Sequence, residues 1–237
     1  MSDVQELWPG GPVFAQAANF RLSTDSVLLA DFIHTGGAAR GIDLGCGSGI
    51  LALLLLWRTE TLHMTGLELD AEAAALAAEN LERNGLAARS RVLTGDIRRH
   101  RELFKPGSFD LAAANPPYYT AGSGGISPDP ARAAARGEGC CTLEELCAAA
   151  AWLLPSGGRF CLVHKPERLS ELLCTMTAQG LEPKRLRMVT YRAERAPSLV
   201  LVEGRRGGRP GLTVEPPLIL ADADGGESAE YRRIYHR

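Results

Sequence analysis

Asn115, Pro116, Pro117 and Tyr118 are the residues whose types most directly suggest chemistry in this chain. They follow a short, mostly apolar run, Phe109 to Ala114, which reads as a buried strand because it is brief and a proline pair then stops it. A side-chain amide, a rigid diproline and an aromatic ring are thereby set at the C-terminal end of a strand. In open α/β sheets, ligands bind at such ends. Taken alone, the tetrapeptide is also an ordinary turn composition, so its meaning depends on its surroundings.

A second group lies upstream. Asp43-Leu44-Gly45-Cys46-Gly47-Ser48-Gly49 joins an apolar run to a helical one. Glycines there allow a tight turn and let a ligand approach the backbone closely. A dinucleotide fingerprint requires Gly-x-Gly-x-x-Gly. Here the spacing is Gly-x-Gly-x-Gly, which counts against a nicotinamide cofactor. The next strand ends at Leu67-Glu68-Leu69-Asp70. An acid at that point accepts hydrogen bonds from ribose hydroxyls, and position favours Glu68, with Asp70 as the cap of the following helix. Gly95-Asp96-Ile97 follows a third strand, and Asp96 suits a turn or a cap there as well as a ligand contact.

The elements that must hold these residues alternate. A helix is expected after Thr24-Asp25, with Val27, Leu28, Leu29, Phe32 and Ile33 as its apolar stripe. Strands are expected over 40–44, 63–69, 90–94, 109–114 and 159–164. Helices are expected over 48–57, 71–84, 142–153 and 166–179. Gly85 closes the second helix, Thr142-x-x-Glu145 is a capping box for the third, and Pro166 starts the fourth. Strands over 184–191 and 198–203 finish the series and, with no helix between them, are expected to pair antiparallel. The pattern predicts a mostly parallel sheet with helices on both faces. Residues 1–24 read as irregular. The segment 120–140, Gly- and Ser-rich and then carrying Arg132 and Arg136, suits a substrate loop.

Composition narrows the class. With 237 residues, the chain fits one large α/β domain: an N-terminal extension and helix over 1–39, a catalytic core over 40–204 and a C-terminal tail over 205–237. A net charge of −2 argues against a protein that coats long duplexes, while the C-terminal quarter is enriched in arginine. No leader-like start and no membrane-length apolar run are present, so a cytoplasmic protein with no membrane partner is expected. The six cysteines form no Cys-x-x-Cys pair and the histidines are scattered, so neither a metal site nor a disulfide framework is expected.

The order of glycine loop, strand-end acid, second acid and Asn-Pro-Pro-Tyr resembles the class I S-adenosylmethionine-dependent methyltransferases that act on a planar nitrogen. Phe20 to Ala30, Arg132 to Arg136, Leu162 to Leu169, Glu215 to Leu220 and Tyr231 to Tyr235 further resemble bacterial tRNA (adenine-N6)-methyltransferases, which modify the adenine beside the anticodon of a valine tRNA. The resemblance covers nearly the whole chain. It implies a Rossmann-like, seven-stranded, mostly parallel sheet with one antiparallel edge strand. It implies S-adenosylmethionine as cofactor, with Asp43, Gly45, Gly47, Gly49, Glu68 and Asp96 holding it and Asp96 on its adenine. It implies tRNA as substrate, with Asn115 and Pro116 accepting hydrogen bonds from the amino group, Tyr118 stacking on the base, and Arg132 and Arg136 binding RNA. Two other readings use the same residues differently: a protein glutamine N-methyltransferase, and a non-catalytic RNA-binding module.

Overall fold

The protein is described by a computed structural model covering residues 3–16, 22–117 and 141–237. Tyr118, Arg132 and Arg136, together with the expected substrate loop, lie outside the described residues.

The central strand is β3 (Arg40–Leu44), buried at every residue after Arg40. It is followed by α2 (Ile50–Trp57), β4 (His63–Glu68), α3 (Ala71–Arg83), β5 (Ser90–Thr94), the short α4 (His100–Leu103) and β6 (Leu111–Ala114). After the undescribed segment come α5 (Leu143–Leu153), β7 (Arg159–His164), α6 (Leu169–Ala178), β8 (Leu181–Thr190), β9 (Leu199–Arg206), β10 (Thr213–Ile219) and α7 (Ala229–Ile234). Ahead of β3 lie β1 (Asp3–Glu6), β2 (Val13–Gln16) and α1 (Thr24–Phe32).

Among the described residues the main sheet has eight strands, in the order β10-β8-β9-β7-β6-β3-β4-β5. Strands β5, β4, β3, β6 and β7 run parallel. Their residues alternate between two cores, as the period of a strand requires. Leu111, Ala113, Cys161 and Val163 face the layer containing α1 and α2. Ile42, Ala112, Phe160 and Leu162 face the layer containing α5 and α6. Helix α2 is buried on all sides, from Ile50 to Leu56, which suits its uniformly apolar sequence. The capping box at Thr142 and Glu145 is formed, and Asp70 caps α3 by accepting from the N–H groups of Glu72 and Ala73, both at 2.9 Å.

The structure departs from expectation in three places. First, the reversed strand is not at the edge. β9 runs antiparallel to both neighbours and lies inside the sheet, between β7 and β8. Its first six residues are buried, and a strand buried on both faces belongs in the interior. Second, the residues expected to form a C-terminal tail supply the eighth strand. β10 pairs parallel to β8 at the edge, and its register shifts between Glu215 and Leu218, across Pro216 and Pro217. Prolines lack the N–H for a ladder and are tolerated at an edge. Third, the N-terminal segment read as irregular contains the β1–β2 hairpin. Two asparagines hold it: Asn84, at the C-cap of α3, accepts from the Val13 N–H at 2.8 Å, and Asn80 of α3 accepts from the Ala15 N–H at 2.7 Å.

Candidate active site

The C-terminal ends of β3, β4 and β6 converge at one edge of the sheet. A cavity there is lined by Asp43, Gly45, Gly47 and Asn115 together with Ser23 and Ser26 of the α1 region. Four residues from the two separate sequence groups thus meet in one place.

The loop after β3 is tied to its neighbour through backbone. Gly45 and Cys46 donate to the Leu67 carbonyl at 2.8 and 3.2 Å. Gly47, with φ of 52°, donates its N–H to Glu68 Oε2 at 2.8 Å. The other carboxylate oxygen of Glu68 accepts from the Asp70 N–H at 3.0 Å. Glu68 therefore braces the loop from the end of β4, with its carboxylate held in place by two backbone donors. Gly49, with φ of 83°, starts α2, and a Cβ there would sit 2.9 Å from the Ala77 Cβ. Only glycine allows α3 to pack this closely against the turn.

Asp43 is 2% exposed, and its Oδ2 has no hydrogen-bond partner. Burial, and then the charge of Glu68, push its pKa up to about 8. A buried carboxyl with an unsatisfied oxygen beside an open cavity is a ready contact for a cationic or hydrogen-donating ligand.

Asp96 is not among the cavity-lining residues. It caps a short 3₁₀ turn, accepting from the Arg98 N–H at 2.8 Å, and forms an ion pair with the Arg98 guanidinium. The hydrogen bond from Arg98 holds its carboxyl below the usual range. Of the readings open for this acid, the cap is the one the structure displays.

Asn115 follows β6 and is half-buried. Its Nδ2 donates to Ser26 Oγ at 2.9 Å, linking α1 to the end of β6 across 89 residues of sequence. Among the described residues, no three His, Cys, Asp or Glu side chains are grouped to hold a metal ion. No described helix is long and apolar enough to cross a membrane.

The family model of the methyltransferase small domain matches residues 11–176. A tRNA1(Val) (adenine(37)-N6)-methyltransferase of Tolumonas auensis is 35% identical over 212 residues, covering 89% of this chain and 86% of its own. The protein of that name from Cronobacter sakazakii is 36% identical over 180 residues, covering 76% and 71%.

The chain belongs to the tRNA1(Val) (adenine(37)-N6)-methyltransferase family.

It is accordingly a methyltransferase, and its cofactor is S-adenosylmethionine. Solved structures agree on the fold. A predicted O-methyltransferase from Agrobacterium tumefaciens superposes with a TM-score of 0.72 at 22% identity, covering 90% of this chain and 96% of its own. TrmN from Thermus thermophilus gives 0.55 at 22% identity, covering 76% and 48%.

The residues present fit that cofactor. It carries a sulfonium and an ammonium group, and the orphaned, buried Asp43 oxygen is an acceptor suited to a cation. A Cβ at Gly45 or Gly47 would meet nothing within 4 Å, so the loop leaves space along its length. Two residues that support this candidate site escaped the sequence reading. Ser26 partners Asn115. Asn80, fully buried, donates to the Ser48 carbonyl of the loop at 3.0 Å while it holds β2. Ser26 stands within the N-terminal stretch that carries the family resemblance, but nothing local marks it as a partner of Asn115.

Proposed function

We propose that this methyltransferase transfers a methyl group to the N6 amino group of adenine 37 in a valine tRNA. The observation that carries the reading is the placement of Asn115. It stands at the C-terminal end of the parallel strand next to β3, on the same cavity as the glycine loop, with its amide nitrogen committed to Ser26. In this reading Asn115 Oδ1 accepts a substrate amino hydrogen when the base is bound.

The chemistry asks little of a protein nucleophile. S-adenosylmethionine supplies an activated methyl group when bound. The adenine amino nitrogen is a poor nucleophile because its lone pair is delocalised into the ring. The side chains must align that nitrogen and draw on its hydrogens. Asn115 Oδ1 and the Pro116 carbonyl accept the two N–H groups. These hydrogen bonds strengthen as positive charge develops on nitrogen, so they favour the transition state over the ground state. Pro117 fixes the backbone that presents the Pro116 carbonyl. Tyr118 stacks on the base, a contact that contributes roughly 1–3 kcal/mol, and Arg132 and Arg136 meet phosphates. Asp43, the loop glycines and Glu68 bind the cofactor, Glu68 through its ribose, and Asp96 receives the adenine amino group once Arg98 yields. A tRNA substrate puts this work in the cytoplasm.

The test is methyl transfer from labelled S-adenosylmethionine to unmodified bulk tRNA, followed by nucleoside analysis. N6-methyladenosine in a valine tRNA is expected. Label in protein and none in RNA would replace this reading with glutamine methylation.

A further inference from the structure

The turn after β8 opens on the same edge of the sheet as the candidate site. β9 runs antiparallel to both β7 and β8, so β8 points the same way as β7, β6 and β3. Its C-terminal end therefore lies where the glycine loop and Asn115 lie. Three strand steps separate β8 from β6, or about 14 Å at the usual spacing between strands. A substrate larger than a single nucleotide, seated at Asn115, passes over this turn.

The turn carries an aromatic ring and two arginines. Tyr191 is 56% exposed. The other exposed aromatic ring among the described residues, Trp57, ends α2, a helix that runs back from the glycine loop towards the opposite end of the sheet. Arg192 follows Tyr191, with its guanidinium carbon 5.9 Å from the centre of the tyrosine ring. Arg195 is exposed. Neither arginine forms an ion pair among the described residues, and the turn holds one acid, Glu194, against the two.

The backbone beneath these side chains is fixed. Tyr191 accepts from the Ala221 N–H at 2.8 Å, and the buried Thr190 hydroxyl donates to the Arg192 carbonyl at 2.7 Å. The Arg195 N–H donates to the same carbonyl at 3.0 Å. The Ser198 N–H closes the turn on the Val189 carbonyl at 2.8 Å. A rigid scaffold thus presents a loop of polar and aromatic side chains, the arrangement in which binding residues are concentrated.

We propose that the turn over 191–198 is a binding surface for single-stranded RNA, on which Tyr191 stacks a base flanking the target adenine while Arg192 and Arg195 meet the phosphates. Unpaired bases are recognised by stacking on aromatic rings, and the backbone by cationic side chains. An exposed ring between unneutralised arginines, about 14 Å from the target strand, supplies both contacts. The proposal rests on the tRNA reading given above, and extends it from the reacting base to the strand around it.

The experiment measures RNA binding and turnover separately on the full chain. Equilibrium binding of unmodified valine tRNA is titrated in the wild type, Tyr191→Ala, Tyr191→Phe and Arg195→Ala, over a range of salt. Tyr191→Ala should raise the tRNA Kd and KM about ten-fold, within the range for one lost base–aromatic stack. Its kcat and S-adenosylmethionine Kd should stay within about two-fold of wild type. Tyr191→Phe keeps the ring and should keep the affinity. Arg195→Ala should lower the slope of log affinity against log salt by about 0.7, the value for one single-strand phosphate contact.

An unchanged tRNA Kd in Tyr191→Ala would overturn the proposal, as would an unchanged salt slope in Arg195→Ala. Equal affinity for fully duplex RNA would overturn it as well. Binding needs no methyl transfer, so the two readings fail separately. tRNA binding that weakens in Tyr191→Ala, in an enzyme that leaves tRNA unlabelled, would keep the surface and remove the adenine 37 assignment. Methylated adenine with wild-type Kd and KM in Tyr191→Ala would do the reverse.

Discussion

Asp43 makes the folded protein sensitive to alkali in a way that one substitution should reveal. Its carboxyl is buried with one oxygen unpartnered, and burial followed by the charge of Glu68 raises its pKa from 3.8 to about 8. In the unfolded chain the group ionises near 3.8. Between those two values the folded state holds the proton and the unfolded state does not, so stability must fall as pH rises. The contribution is complete below about pH 4 and is lost as pH climbs to about 8, after which the curve flattens. At about 1.4 kcal/mol per unit, raising the pH from 6 to 9 should cost about 2–3 kcal/mol through this group alone. Asp43→Asn removes the titration and keeps the shape. Urea denaturation of both proteins across this range isolates the effect, because every other titrating group is common to the two and cancels in the difference. Wild type should lose stability relative to Asp43→Asn by that amount. Saturating S-adenosylmethionine, whose positive charge favours the carboxylate, should shrink the difference. Parallel stability curves from pH 6 to 9 would show that Asp43 ionises normally in the fold and would remove its buried charge from the account of the site.

Asn115→Ala should abolish turnover while calorimetry finds cofactor affinity nearly intact; normal turnover would take Asn115 out of the mechanism. Glu68→Ala removes the acceptor of the Gly47 N–H as well as the proposed ribose contact, and should weaken S-adenosylmethionine binding about ten- to hundred-fold, the range for hydrogen bonds to a charged group. An unchanged Kd would refute its role. Gly49→Ala puts a Cβ 2.9 Å from the Ala77 Cβ at a backbone φ of 83°. It should destabilise the fold by about 2–4 kcal/mol, read as a lowered Tm; a melting temperature equal to wild type would mean that α3 yields without cost.

What was legible in the sequence was what local backbone rules encode. The bounds of β3, β5 and β7 match the short segments that turn residues close off in the sequence, and the Thr142 capping box follows from a four-residue pattern. The glycine loop and the asparagine after β6 were legible because strand ends in a parallel sheet are where ligands gather, so chain order alone brings them together. β10 was hidden for the opposite reason. Its diproline reads as a strand breaker, and only its place at the sheet edge, which no local rule reveals, makes the prolines harmless.

The residues that hold the site in register were hidden for a deeper reason. Asn80 ties the Ser48 carbonyl to β2, and Ser26 holds Asn115, through contacts spanning 32 and 89 residues. Each is a small polar side chain inside or beside an apolar run, where sequence patterns read only helix. Their importance comes from burial: an amide sealed from water must find its partners within the fold or lose about 1–3 kcal/mol. That requirement turns such residues into obligatory cross-braces, and in this protein the braces end on the glycine loop after β3 and on Asn115 after β6. Reactive residues in this fold are therefore found by looking at strand ends, and the residues that orient them by asking which buried polar atom each one satisfies.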